Sequence, residues 1–153
     1  MIRRPGETGN NSIDVRKVQQ PHELEEAKKI RYEVFVIGQN VPPEEEIDEF
    51  EDESFHFLAF LNDTPAGAAR WRFTEKGIKL ERFAVLEKFR SNGIGSALVG
   101  EVLKDIANHP KSVGKVLYLH AQLSAMGLYN KFGFKQVGEL FQECEIDHYK
   151  MTK

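Results

Sequence analysis

Arg90, Gly93 and Gly95 stand between an apolar strand end, Phe83 to Leu86, and a run in which Ala97, Leu98, Val102 and Ile106 fall near one helix face. Glycines where a helix begins let backbone N–H groups approach a ligand with no Cβ in the way. The first amides of a helix have no intrahelical partner, and the helix dipole makes that end partly positive. Such a seat suits a phosphate or pyrophosphate, and the Arg90 guanidinium adds a fixed charge beside it. The spacing is R-x-x-G-x-G, and the G-x-x-x-x-G-K-[ST] of a Walker loop is absent from the chain. A dinucleotide fingerprint would need a third glycine where Leu98 stands, and its glycines would follow the strand directly, whereas here Glu87 to Asn92 intervene. A two-glycine helix start is also a common structural device, so its meaning depends on its surroundings.

Those surroundings carry a resemblance. Arg90-x-x-Gly93-x-Gly95 after Leu80-Glu81-Arg82-Phe83-Ala84-Val85 resembles motif A of the GNAT superfamily of acyl-CoA-dependent N-acetyltransferases. Ala121 to Phe134, ending Leu128-Tyr129-Asn130-Lys131-Phe132-Gly133-Phe134, resembles motif B, in the family's order and at its usual separation. Gln39-Asn40-Val41-Pro42, Glu46-Ile47-Asp48, His56 and Ile146 to Met151 are similar to the small bacterial YjcF/ElaA branch, so the likeness covers residues 13–151. It implies acetyl-CoA as co-substrate, with no metal. It also implies a pyrophosphate on the amides of Ser91, Asn92, Gly93, Ile94, Gly95 and Ser96, and pantetheine paired with the backbone of Phe83, Ala84 and Val85. For that pairing the strands 78–86 and 116–121 must splay apart. Asn130 is a further candidate for touching coenzyme A.

Acetyl transfer to an amine needs a proton for the departing thiolate and a deprotonated nucleophile. Family members carry tyrosine at the position of Tyr129 for the first task, and a phenol with pKa near 10 can donate to a thiolate. An alkylammonium with pKa of about 10.4 is almost wholly protonated at neutral pH, so a base or a dry site must supply the free amine. Glu81 ranks first as base, on the motif A strand, followed by His120, before motif B, and His148. Packed aromatics and hydrogen-bonded core histidines account for the same residue types. The acceptors that fit are small primary amines of polyamine, amino acid or amino sugar type, or an amino sugar phosphate. A module that binds acyl-CoA without catalysis is the competing reading.

Composition narrows the rest. The 153 residues, 41% hydrophobic, suit one domain with a single core over 13–153, behind a disordered lead-in over 1–12. A net charge of −3 argues against nucleic acid as partner. The single Cys144 excludes an intrachain disulfide, and no run approaches the ~18 apolar residues of a membrane span, so the expected setting is the cytoplasm. By its resemblance to a family that often dimerises, the chain is a candidate homodimer.

Apolar spacing predicts a strand from Ile13, then a helix from Pro21 on which Leu24, Ala27, Ile30, Val34 and Phe35 share a face until Pro42-Pro43. Strands follow over 55–61, 66–73, 78–86 and 116–121, with a motif A helix ending near Pro110. Ser124 is the expected cap of a short motif B helix, and 134–138 and 146–151 close the chain as strands. The fold class is α/β: a mixed, mostly antiparallel sheet flanked by helices and splayed between its fourth and fifth strands. Eight acids among residues 44–53 make either a solvated loop or a surface that steers a cationic amine. Arg70, Arg72 and Arg82 balance those acids, contact an acceptor, or are plain surface arginines, whereas Trp71 faces the core.

Overall fold

Period-two alternation in the central strands decides what each face of the sheet buries. The computed structural model describes residues 11–153; most of the predicted lead-in, residues 1–10, lies outside the described residues. Seven strands are present: β1 (Ile13–Lys17), β2 (Phe55–Leu61), β3 (Thr64–Thr74), β4 (Gly77–Val85), β5 (Leu117–Gln122), β6 (Lys135–Glu143) and β7 (Ile146–Thr152). They form one sheet in the order β1-β2-β3-β4-β5-β7-β6. Every neighbouring pair is antiparallel except β4 and β5. The helices are α1 (Pro21–Arg31), α2 (Pro43–Glu46), α3 (Ile94–Asn108) and α4 (Met126–Asn130).

Trp71, Ile78, Leu80, Leu119 and Met151 point to one face, where α3 covers them with Ile94, Leu98, Val102 and Ile106. Leu58, Ala68 and Ala84 point to the other, against Ala27, Ile30 and Val34. Burying each Val, Leu, Ile or Met among them stabilises by about 1.5–3 kcal/mol, which is what fixes register along the central strands.

Two irregularities in β4 shape the site. Its parallel pairing with β5 consists of Ile78↔Leu117 and Lys79↔Tyr118, after which the strands part, as the splayed sheet requires. Opposite β3 the register slips between Ala68 and Arg70, where Arg82 takes a left-handed φ of 61°. That bulge turns β4 so that Phe83 to Val85 line the gap while Ala84 still packs against α1.

Three local expectations differ from the structure. The first helix does not run regularly to Pro42: after Arg31 the chain widens into a π turn over Tyr32–Ile37. Ser124 caps nothing; it lies in a 3₁₀ turn, Leu123–Ala125, and Ala125 precedes α4 without a side-chain cap. The strand expected to stop at Gly138 continues to Glu143, because a register shift between Val137 and Phe141 absorbs the glycine's φ of 78° and pairing resumes.

Candidate active site

Glu87–Phe89 forms a 3₁₀ turn after β4, and the chain then enters α3 through Gly93, whose φ of 87° suits glycine. Among the described residues the first backbone amide of this region with a carbonyl partner is that of Ala97, which donates to Gly93 O at 3.0 Å; those of residues 91–96 have none. The 15-residue α3 therefore begins with a row of free donors at its positive end. Asn92 shapes the loop, its Nδ2 donating to Phe89 O (2.9 Å) and Arg90 O (3.2 Å). Arg90 Nε donates to Val85 O at 3.1 Å, so its guanidinium lies over the end of β4.

From this loop a cavity of about 1120 Å³ runs along the gap between β4 and β5. Cofactor and ligand pockets commonly span ~300–1,000 Å³, so this one has room for a large co-substrate. Arg90, Ser91, Gly93, Ile94 and Gly95 line one end, and Phe83 to Val85 line its wall. Asn92, Ser96 and Asn130 are not among its lining residues.

Tyr129 borders the same space. Its ring meets Phe83 edge-on at 5.8 Å and Phe134 at 6.2 Å, and the residue is 7% exposed. Burial pushes its phenol well above the usual range, which keeps the proton on oxygen. The hydroxyl has no hydrogen-bond partner among the described residues, and Tyr129 is one of the residues lining the cavity.

The far end is polar. His120 and His148 line it from β5 and β7, and Glu143 joins them from the last position of β6. His120 Nδ1 lies 3.0 Å from Glu143 Oε2, and His148 Nδ1 donates to Ile146 O at 2.6 Å. Glu81 lines the cavity too, but its carboxylate is engaged. Oε2 accepts from Arg70 Nε (2.9 Å) and Arg72 Nε (2.7 Å), and Oε1 lies 3.3 Å from Lys79 Nζ. Burial acts to raise its pKa, and the surrounding cations more than offset this and hold it low. A carboxylate so held is a poor proton acceptor, which weighs against ranking Glu81 first as base.

A match to the acetyltransferase (GNAT) domain family extends over residues 19–153, nearly the whole chain. The chain belongs to the GNAT acetyltransferase family. Among its relatives is YjcF of Bacillus subtilis, an uncharacterized N-acetyltransferase, 40% identical over 132 residues that make up 86% of this chain and 92% of that one. The crystal structure of Escherichia coli ElaA superposes with a TM-score of 0.81 at 26% identity, covering 93% of this chain and 99% of that one. Arabidopsis thaliana Naa50, in complex with the bisubstrate analogue CoA-Ac-MVNAL, matches with a TM-score of 0.70 at 26% identity over 93% and 98% of the two chains. As a GNAT protein the chain is an acetyl-CoA-dependent N-acetyltransferase, with acetyl-CoA as co-substrate.

Within this GNAT domain three of the eight acids leave the free surface expected for a steering loop, while Glu44, Glu45, Glu49, Asp52 and Glu53 stay exposed. Glu46 and Glu51 are buried, Asp48 is half-buried, and they enclose two buried arginines. Arg31 donates to both Glu51 oxygens at 2.7 Å and to Glu46 Oε2 at 3.1 Å. Arg70 reaches Asp48 (2.6 and 3.0 Å), Glu51 (2.9 Å) and Glu81. Arg82, turned by the bulge, donates to Glu46 O and Asp48 Oδ2, each at 3.2 Å. Of the alternatives for the three arginines, balancing the acids is what the structure shows, and the default of a surface arginine fails for Arg70, which has no exposed surface. His56 also belongs to this network: it is buried, and its Nε2 donates to Glu51 O at 2.8 Å.

Sequence reasoning missed Glu143 and the pair Gln39–Gln122. These two amides exchange hydrogen bonds at 2.8 and 3.2 Å across the cavity and tie the segment after the π turn to the end of β5. The matching segment Gln39-Asn40-Val41-Pro42 was the available signal for the second. None pointed to Glu143, whose partner is 23 positions away. Among the described residues no group of three or more His, Cys, Asp or Glu side chains is arranged to hold a metal, and no helix is long and apolar enough to cross a membrane.

Proposed function

We propose that this enzyme, whose N-acetyltransferase domain spans 13–153, works in the cytoplasm and acetylates the primary amine of a small molecule of polyamine, amino acid or amino sugar type by direct attack. The observation that carries this reading is the continuity of one cavity from the free amides of the α3 entrance, past Phe83 to Val85, to Tyr129 and His120. The diphosphate sits on the amides of 91–96 beside Arg90, and the pantetheine lies along β4. His120 takes the proton of the incoming ammonium and passes it to water. Attack by the freed amine forms the C–N bond and breaks the C–S bond. The sulfur leaves with the bonding pair and takes a proton from Tyr129, the surplus proton of the attacking nitrogen restores the phenol, and the one proton released per turnover is the one passed through His120 to water. Tyr129 suits donation because burial keeps it protonated. Glu81, bound to Arg70, Arg72 and Lys79, instead holds the floor of the acceptor end in place.

The test is a panel of polyamines, amino acids, amino sugars and their phosphates, with short peptides beside them, incubated with acetyl-CoA while thiol release is followed. Saturable release with one of these classes supports the reading. Release only with peptide N-termini, or with none of the panel, overturns the acceptor class.

A further inference from the structure

We propose that Glu143 is a positioning residue for the base of acetyl transfer, presenting His120 with its Nε2 lone pair toward the acceptor. This rests on the amine-acetylating role given above and adds a residue to it.

The argument begins at the β6–β7 turn. Cys144 and Glu145 both adopt left-handed φ angles, 50° and 64°, and so make a two-residue turn that fixes the hairpin's register with Glu143 opposite Ile146. Two positions earlier Phe141 pairs with His148. Its ring stacks on that imidazole at 5.8 Å and meets His120 edge-on at 5.1 Å, acting as a spacer between the two histidines. Glu143 then reaches across β7 to β5: Oε2 is 3.0 Å from His120 Nδ1 and Oε1 is 3.8 Å from His148 Nε2.

Glu143 is held below the usual carboxylate range, first by its hydrogen bond to His120 and against the opposing effect of partial burial; the charges of His120, His148 and Lys79 add to this. An ionised carboxylate can only accept, so the proton between the two groups belongs to Nδ1. A neutral imidazole protonated on Nδ1 has its lone pair on Nε2, the form a base requires. Nε2 of His120 has no partner among the described residues, and the residue lines the cavity. The other charged or titratable groups around it are Lys150 and His148 from β7, Tyr118 on its own strand and Lys79 paired with Tyr118 from β4. Lys150 lies over the Tyr118 ring at 5.2 Å, and the anion bonded directly to His120 is Glu143. The Glu143 side chain is 45% exposed, which gives the proton a way out to solvent.

Three variants test the assignment. In isotope-labelled wild-type protein, NMR should find His120 as the Nδ1–H tautomer, and Glu143→Ala should convert it to the Nε2–H form that prevails in free histidine. The same variant should lower kcat by about tenfold or more, with KM for acetyl-CoA changed by less than about twofold. Glu143→Gln keeps an acceptor oxygen but loses the charge, so the tautomer persists while the acidic limb of the kcat/KM profile moves to lower pH. Glu143→Asp should recover part of the activity. An unchanged tautomer and an unchanged rate in Glu143→Ala would overturn the proposal, as would a loss of rate that follows a loss of thermal stability. If no amine is acetylated by the wild type, the functional reading fails, and the tautomer measurement by itself upholds or overturns the positioning of His120.

Discussion

At one end of the cavity stands a loop contiguous in sequence, whose backbone amides from Ser91 onward have no carbonyl partner and whose side chains mostly keep it in shape. At the other end Glu81, His120 and Glu143 line the space with their side chains, Arg70, wholly buried, holds Glu81 from β3, and the partners come from other strands and loops. The contrast has a chemical basis. On the function proposed above, a diphosphate that is the same in every turnover would need only a fixed row of dipoles, whereas an acceptor must be distinguished by charge and shape.

The two ends should therefore break differently. The largest effect is expected from Arg70→Ala, which leaves Asp48, Glu51 and Glu81 without their shared buried cation. Breaking a buried pair costs ~3–5 kcal/mol, so urea denaturation should show a loss of that size. A loss below about 1 kcal/mol would mean that the network merely decorates the acceptor end.

Next comes Tyr129→Phe, which should reduce turnover by about 10²-fold while acetyl-CoA affinity, measured by calorimetry, stays nearly constant. Wild-type turnover would make Tyr129 a packing residue. Arg90→Ala combined with Gly93→Ala should weaken acetyl-CoA by about tenfold or more, because the left-handed φ strains any Cβ by ~1–2 kcal/mol and the neighbouring charge is gone. Unaltered binding would erase the contrast at its cofactor end.

The smallest effect concerns acid. Burial would raise Glu51, but Arg31 and Arg70 overcome this and hold it at about 2. A carboxylate lowered on folding contributes stability that is complete above its unfolded value, near 4.5, and fades as pH falls toward 2. Glu46 works in the opposite sense: its burial, only partly offset by Arg31 and Arg82, raises it. Thermal unfolding from pH 5 to pH 2 should show Glu51→Gln less stable than wild type at the upper limit and converging with it at the lower. Parallel curves would remove Glu51 from the acid response.

How well each end could be read from sequence follows the same division. The loop at 90–95 is contiguous, and a short run of residue types plus the helix that follows describes its physics. The strand gap was legible because motif A and motif B together imply it. Arg70 gave no comparable signal, since its partners lie 11, 19 and 22 positions away and nothing local separates it from a surface arginine. The acidic run read as exposed because composition records charge and not the direction in which a turn points it. Three of its acids fold inward through α2 and the segment after it, a tertiary outcome.

Two residue pairs are all that join β4 to β5, so the sheet is nearly two plates meeting along a short seam. Any molecule wedged lengthwise into that seam touches both plates and supplies part of the cohesion that main-chain pairing leaves out. Saturation with acetyl-CoA at a hundred times its dissociation constant should add about 2.7 kcal/mol to unfolding. Much of that gain should register as slowed amide exchange in β5 and β7, far from the nucleotide itself.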